Sequence, residues 1–274
     1  MDNGFKNFLG LGIAGNFALH LKQAGELEDF KDIITADEAA PKGVFPFYIP
    51  NNTTFLGQYP ISSDTVIMPV EAVNVQAEPE VALTCKLSYK DGKIESITPT
   101  HFGAYNDTSL RKNAPKISLK KNWGASSKGL SSKLIAIDSF SEGGVIDNYR
   151  ICSFLRRNGN LFRYGEDVEL MGYSYFHTKL LDWIKNQINS QKDFGPLEDV
   201  LALIKEAGYP QNLIISIGAT RYTEYGEHTF LQRGDEVIVA LYDSRIHCQN
   251  PVMTKIVSGK YDEEGMSVLA QKVL

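Results

Sequence analysis

The chain alternates between strand-like and helix-like periods. The first 25 residues read as a short buried strand followed by a helix, with Phe17, Leu19 and Leu21 beside His20, Lys22 and Gln23. Residues 26–40 are rich in charge, and Pro41-Lys42-Gly43 closes them as a loop signal, the pattern of a solvated connector or of a mobile lid. From residue 44 to 139 the pattern turns to strands. Thr65-Val66-Ile67-Met68 and residues 81–87 (VALTCKL) are short β-branched and apolar runs. Asp91-Gly92 and Asn158-Gly159 each separate two such runs and read as two-residue hairpin turns, where positive φ is needed. Apolar positions at helical spacing (Phe176, Leu180, Leu181, Ile184, Ile188) predict a helix over 175–190. A second helix is expected over 197–207, ending at Gly208 and Pro210. Strands are expected at 212–217, 236–242 and 254–257, with Gly234-Asp235 as the turn before the second. Many short strands, few helices and no long linker predict one α+β domain over 1–274, mostly β. Within it, residues 1–43 form an N-terminal segment and possible lid, and 44–274 the core.

Composition narrows the function classes. The 274 residues are 43% hydrophobic and 22% charged, ordinary for a globular protein. Lys and Arg number 28 against 33 Asp and Glu, a net charge of −5, which gives no global pull toward nucleic acid or an anionic membrane. Cys85, Cys152 and Cys248 are far apart and show no CxxC spacing. A disulfide framework and a thiolate zinc site are therefore not expected, and the reading is a reducing, cytoplasmic compartment. No stretch reaches the ~18 apolar residues of a membrane span. Residues 8–19 imitate a signal-peptide core, but the leader carries one Asp and one Lys rather than a positive n-region.

Several motifs are loud but poorly supported. Gly10-Leu-Gly12-Ile-Ala-Gly15 matches GxGxxG, yet it leaves room for only a short strand before it. No β-branched strand ending in an acid follows at the distance a dinucleotide site needs. Residues 124–129 (GASSKG) are small enough to cradle an anion but are not a P-loop. The five histidines form no HxH or HxxxH pair.

The informative pair is Glu78-Pro79-Glu80, entering the strand VALTCKL. Side chains at i and i+2 of a strand share a face, so two carboxylates stand close together. They raise each other's pKa or hold a cation, unless the face is simply solvated. Asn106-Asp107-Thr108-Ser109-Leu110-Arg111 adds an acid and a guanidinium four apart, and Lys121 follows before NWGASSKG. Three hard oxygen ligands suit Mg²⁺, Mn²⁺ or Ca²⁺ better than Zn²⁺. The run Lys120-Lys121 also fits a solvated basic edge, and His20 also fits a hydrogen-bonded core histidine.

These segments, in order, resemble the fumarylacetoacetate hydrolase superfamily. Its E-x-E, N-D-x-S-x-R and K-x-F/W motifs read here as Glu78-Pro-Glu80, Asn106-Asp107-Thr-Ser109-Leu-Arg111 and Lys121-Asn-Trp123. Residues 12–20, ending Asn16-Phe17-Ala-Leu-His20, look like its G-x-N-Y-x-x-H. Ile217-Gly218-Ala219-Thr220 and residues 230–237 look like its G-T-P and F-L-x-x-G-D-x-V. The resemblance runs from about residue 8 to 251. It implies a mixed-sheet β-roll of that superfamily's C-terminal type with a few flanking helices, and a homodimer. It implies Glu78, Glu80 and Asp107 as ligands of Mg²⁺ or Mn²⁺ (or Ca²⁺), His20 and Lys121 as catalytic, and Arg111, Lys121, Gly218 and Thr220 as substrate-binding.

The implied activity is metal-dependent chemistry on a small oxo-acid: C–C hydrolysis of acylpyruvate or fumarylacetoacetate type, decarboxylation, or keto–enol isomerisation. The chain departs from the pattern at Gln23, where acylpyruvate-type members carry a Glu three residues after the His. It departs again at Lys112-Asn113-Ala114, where a D-x-Q is common, and at Ala219-Thr220, where the Thr is displaced by one. The first departure shifts the expectation toward reactions that need no activated water, with Glu26 as a possible substitute. It also keeps open a catalytically degenerate relative that binds a metabolite or a protein partner.

Overall fold

The computed structural model describes residues 2–35, 37–71 and 73–274. Among these, the strands form an eight-stranded, a five-stranded and a two-stranded sheet. The largest is mixed: Leu9–Ala14 runs parallel to Asn212–Ser216, while Gly43–Tyr48, Pro79–Lys90 and Lys93–Asn106 add antiparallel neighbours. In the five-stranded sheet the order is Asn160–Glu169, Tyr149–Arg157, Glu236–Asp243, Met266–Val273 and Thr65–Val66. Val81, Leu83 and Cys85 face one large core shared with Ile151, Leu155, Val237 and Val239 of the five-stranded sheet. Helix His177–Ser190 buries Leu180, Ile184 and Ile188 against that same core, as its 3.6-residue spacing requires. Residues between these positions, such as Ala82, face the other way, toward Phe47, Tyr105 and Ile214.

Most expected elements form. The two hairpins turn at Asp91-Gly92 and Asn158-Gly159, all four residues having positive φ. The second predicted helix is shorter, Val200–Glu206, capped by Asp199. One element is corrected: residues 254–257 lie in a helix, Gln249–Val257, and the last strand is Met266–Val273. Val252 and Ile256 are buried at a spacing of four, the helical repeat, and four residues are too few for their β-propensity to compete with it. Residues around His20 make only one helical turn, His20–Gln23. No helix among the described residues is long and apolar enough to cross a membrane.

The Asp91-Gly92 hairpin positions the site. Its register starts with Lys90 opposite Lys93, and two bulges then each add one residue to the second strand. Without them Tyr105 would stand opposite Glu78. With them Pro79 pairs with Asn106, and the Asp107 amide donates to the Glu78 carbonyl at 2.9 Å. A pair of bulges also preserves inside–outside alternation, which a single one would invert.

Candidate metal and catalytic centre

Glu78, Glu80 and Asp107 converge: one carboxylate oxygen from each lies within 4.8 Å of the others. All three are buried, at 3%, 2% and 0% exposure. The surrounding motif residues hold this geometry. Asn106 accepts from the Glu78 amide at 3.1 Å and donates to Gln271 at 2.9 Å, tying the hairpin end to the other sheet. Ser109 Oγ donates to the Asp107 carbonyl at 3.0 Å, closing the turn.

Three cations meet the triad. Lys121 Nζ lies 2.7 Å from Glu78 Oε2 and 2.5 Å from Asp107 Oδ2. Arg111 Nη2 lies 2.8 Å from Glu78 Oε1, and Lys128 Nζ 3.3 Å from Asp107 Oδ1. Both Lys120 and Lys121 are buried, so the basic run is not a solvated edge. Lys120 pairs with Asp29 and stands 3.6 Å from Glu26. Burial raises the Glu78 carboxyl, but Lys121 and Arg111 outweigh it and hold the group below the carboxylate range. Among the described residues no cation is in contact with Glu80; it accepts from the Gly218 amide at 3.1 Å. Burial, and then the Asp107 charge, push its pKa well above the ordinary value. Burial likewise raises Asp107, against the pull of Lys121 and Lys128. Lys128, wholly buried, is held down to about 8 by desolvation despite Asp107.

This donor set fits a hard divalent cation. Neither Asp107 oxygen has an aligned hydrogen bond, and among the described residues Glu80 makes no ion pair, the Lys121 charge acting on it only from farther away. Glu78, Glu80 and Asp107 would hold the ion.

A pH-dependent metal response follows. Glu80 keeps its proton in the metal-free fold at pH values where the unfolded chain has lost it. Its contribution to stability is therefore full below about 4.5, the ordinary value, and fades as pH rises through the raised folded-state value. A bound cation displaces that proton, so the rise in Tm given by Mg²⁺ or Mn²⁺ should grow with pH above about 4.5. Glu80→Gln mimics the protonated carboxyl. It should leave metal-free stability within about 1 kcal/mol, the net worth of one hydrogen bond, and remove the metal response. Thermal melts at several pH values check both; a metal shift independent of pH would contradict the assignment.

His20 enters the same cavity, a space of about 10 Å³ lined also by Glu26, Phe45, Lys121 and Ala219. Its Nδ1 lies 2.9 Å from the Thr220 carbonyl, which can only accept, so the neutral ring carries its proton there. Nε2 is buried and has no hydrogen-bond partner among the described residues. Desolvation lowers the pKa below 6.5, with Glu78 opposing, which keeps the ring neutral at pH 7. The turn is anchored by Asn16, whose amide donates to the Tyr175 and Ile217 carbonyls at 3.0 and 2.9 Å.

Other expected site residues have protein partners. Arg111 donates to Gln76, Glu26 and Tyr222 at 2.7, 3.0 and 3.1 Å, so its guanidinium braces Glu78 rather than standing free. Thr220 turns its amide and hydroxyl to the Pro79 carbonyl, and its own carbonyl orients His20. Gly218, at φ 110, points its amide at Glu80; a Cβ there would meet Asn16 Cβ at 3.0 Å. Gln23 is sewn to the Tyr222 backbone and donates to Glu227, outside the cavity lining. Glu26, from the charged segment, is 5% exposed and lines the cavity instead. The rest of that segment is mostly exposed, as a solvated connector would be, but Phe30 is buried and Asp29 is paired with Lys120. Lys128 and Tyr222 went unrecognised in the sequence. Lys128 sits among small residues that read as a loop, and no local pattern marks Tyr222.

A model of the family of unknown function DUF5718 matches residues 26–273, which include the triad, Glu26 and Lys121 but not His20. No curated protein matches the sequence. Among solved structures, Cg1458 with an inhibitor superposes with a TM-score of 0.57 at 16% identity, over 97% of this chain and 76% of that one. The 5-carboxymethyl-2-hydroxymuconate delta-isomerase from Mycobacterium smegmatis gives 0.52 at 13%, over 97% and 78%. The apo form of 2-keto-3-deoxy-D-arabinonate dehydratase gives 0.51 at 13%, over 97% and 72%. What these share with the chain is the fold, the mostly β, α+β architecture expected of a divergent fumarylacetoacetate hydrolase superfamily member.

Proposed function

This chain belongs to DUF5718, a family of unknown function, and we propose that it is a divalent-metal-dependent enzyme acting on a small oxo-acid. The observation that carries this reading is the burial of three converging carboxylates in one cavity with a histidine nitrogen that has no partner. Two of the structural neighbours are an isomerase and a dehydratase whose names denote small hydroxy or keto acids, which supports the substrate class. When bound, a hard dication supplies Lewis-acid polarisation of a chelating oxo-acid.

The chain's own groups do the rest. His20 Nε2 takes the proton from the carbon beside the oxo group, the electron pair of that C–H bond passing into the enolate, and returns the proton to the enolate oxygen. Lys121 keeps a fixed positive charge beside the oxygen on which negative charge grows; burial works against it, but Asp107 and Glu78 hold its pKa above the usual lysine range. Thr220 fixes the histidine tautomer. Arg111 and Lys120 keep Glu26 and Glu78 in place.

This transfer serves keto–enol isomerisation; in decarboxylation CO2 leaves, its bonding electrons stay as the enolate, and His20 passes a solvent proton to the carbon, so neither route needs an activated water. Gln23 favours these two, because its amide is committed to Tyr222 and cannot act as a base. Hydrolysis requires Glu26 as the second base, a role its place in the lining permits. Assays of oxaloacetate, acylpyruvates and fumarylacetoacetate-like acids, with Mg²⁺ or Mn²⁺ and with Lys121→Met as control, test the reading. We expect metal-dependent turnover of at least one, lost in the variant. No turnover despite a metal-dependent rise in Tm would replace it with a relative that binds a metabolite without converting it.

A further inference from the structure

Beside the metal and catalytic cavity lies a second, much larger one. It has a volume of about 520 Å³ and is walled mainly by apolar side chains, among them Phe17, Leu19 and Leu27. Two residues, Gly15 and Leu21, line both cavities. The partition is thin. Gly15, at φ 78, carries no side chain, and Leu21 Cδ1 would stand 2.8 Å from a Cβ built there. Gly15 and Leu21 are thus the residues that the two spaces share as their common wall.

The inner cavity holds about one water-sized particle, so no oxo-acid can lie wholly within it. The neighbouring groove, sharing Gly15 and Leu21 with it, offers adjacent space for the rest of the molecule. Its walls are unusual for a surface. Leu19 is 64% exposed and Leu27 49% exposed, on either side of the turn that carries His20 and Glu26. Leu19 also holds a left-handed φ of 69, which a leucine adopts rarely. At the rim stand Lys22, Lys42 and Glu38, and among the described residues neither ammonium has an ion-pair partner.

We propose that this groove binds the hydrocarbon tail of the substrate. The substrate class is then an oxo-acid whose head enters the carboxylate cavity and whose apolar tail, several carbons long, lies between Phe17, Leu19 and Leu27, with Leu21 in the shared wall. This rests on the oxo-acid reading of the inner cavity and adds the part of the molecule that reading leaves open.

The test measures binding, so it does not depend on finding the reaction. Metal-loaded protein is titrated by calorimetry with pyruvate, 2-oxobutanoate, 2-oxohexanoate and 2-oxooctanoate, and with 2-oxoadipate as a tail ending in a carboxylate. Kd should fall by about fourfold per added methylene, the worth of its burial, until the groove is filled. Ala39→Trp fills the groove and Leu27→Asp charges its wall; both positions are exposed and outside the inner cavity. Either should flatten the series and weaken 2-oxooctanoate at least tenfold, with pyruvate within twofold of wild type and Tm retained. A flat wild-type series with pyruvate bound would overturn the tail site and leave the oxo-acid reading intact. Tighter binding of 2-oxoadipate than of 2-oxohexanoate would overturn the apolar assignment in favour of a dicarboxylate held by Lys22 and Lys42. Failure of every member to bind, pyruvate included, would overturn both readings.

Discussion

Asp107→Asn should abolish the rise in Tm that Mg²⁺ or Mn²⁺ gives the wild-type protein, and with it any metal-dependent turnover. Asp107 is fully buried and is the member of the carboxylate triad that comes from the far end of the hairpin, beside the Glu78–Glu80 strand. Its charge also balances Lys121 at 2.5 Å and Lys128 at 3.3 Å. Removing one partner of a buried ion pair typically costs about 3–5 kcal/mol, because the other charge is left unpaired. Here Lys128 has an outlet: desolvation already holds its pKa down to about 8, and without Asp107 it falls further.

The sign follows from that. A lysine whose folded-state pKa lies below its unfolded value destabilises the charged fold at low pH, and the penalty is relieved as pH rises past the folded value. The variant should therefore be least stable in acid and recover as pH rises, more steeply than wild type. Adding Lys128→Met should restore part of the lost stability and none of the metal response, because the hydrophobic replacement removes the orphaned charge but supplies no ligand. Thermal melts of the single and double variants, with and without metal, distinguish the two effects. A wild-type metal shift in Asp107→Asn would remove the metal site from consideration.

For His20→Asn, turnover should drop by about 10²–10⁴, the usual range for loss of a general base, with the metal-dependent Tm shift unchanged. The Asn amide can still donate to the Thr220 carbonyl from the place of Nδ1, so the turn is kept while the Nε2 lone pair is lost. In the wild type the acid limb of the pH–rate profile should lie below the ordinary 6.5, because burial lowers the His20 pKa. A variant rate within threefold of wild type would assign the proton transfer elsewhere, with Glu26 the next candidate in the lining.

The hairpin turns, the helix over His177–Ser190 and the pairing of Glu78 with Glu80 on one strand face were all legible in the residues. Each is set by local rules: positive φ at Asp-Gly and Asn-Gly, a 3.6-residue period, a two-residue period. The ordered motifs led from there to the fold and to the carboxylate set. The terminal segment misled, because four residues at 254–257 carry too little periodicity to separate strand from helix.

Only the folded chain decided the site's electrostatics. Two bulges, silent in the sequence, set the register that brings Asp107 beside Glu78. Lys128 reaches Asp107, Arg111 pairs with Glu78 and Glu26, and Glu26 lines the cavity while Gln23 does not. Those outcomes depend on how far each side chain is from water and from charges dozens of residues away. Local sequence fixes which groups exist and which face they leave from; the distances and burial that set their protonation, and so their chemistry, come from long-range packing alone.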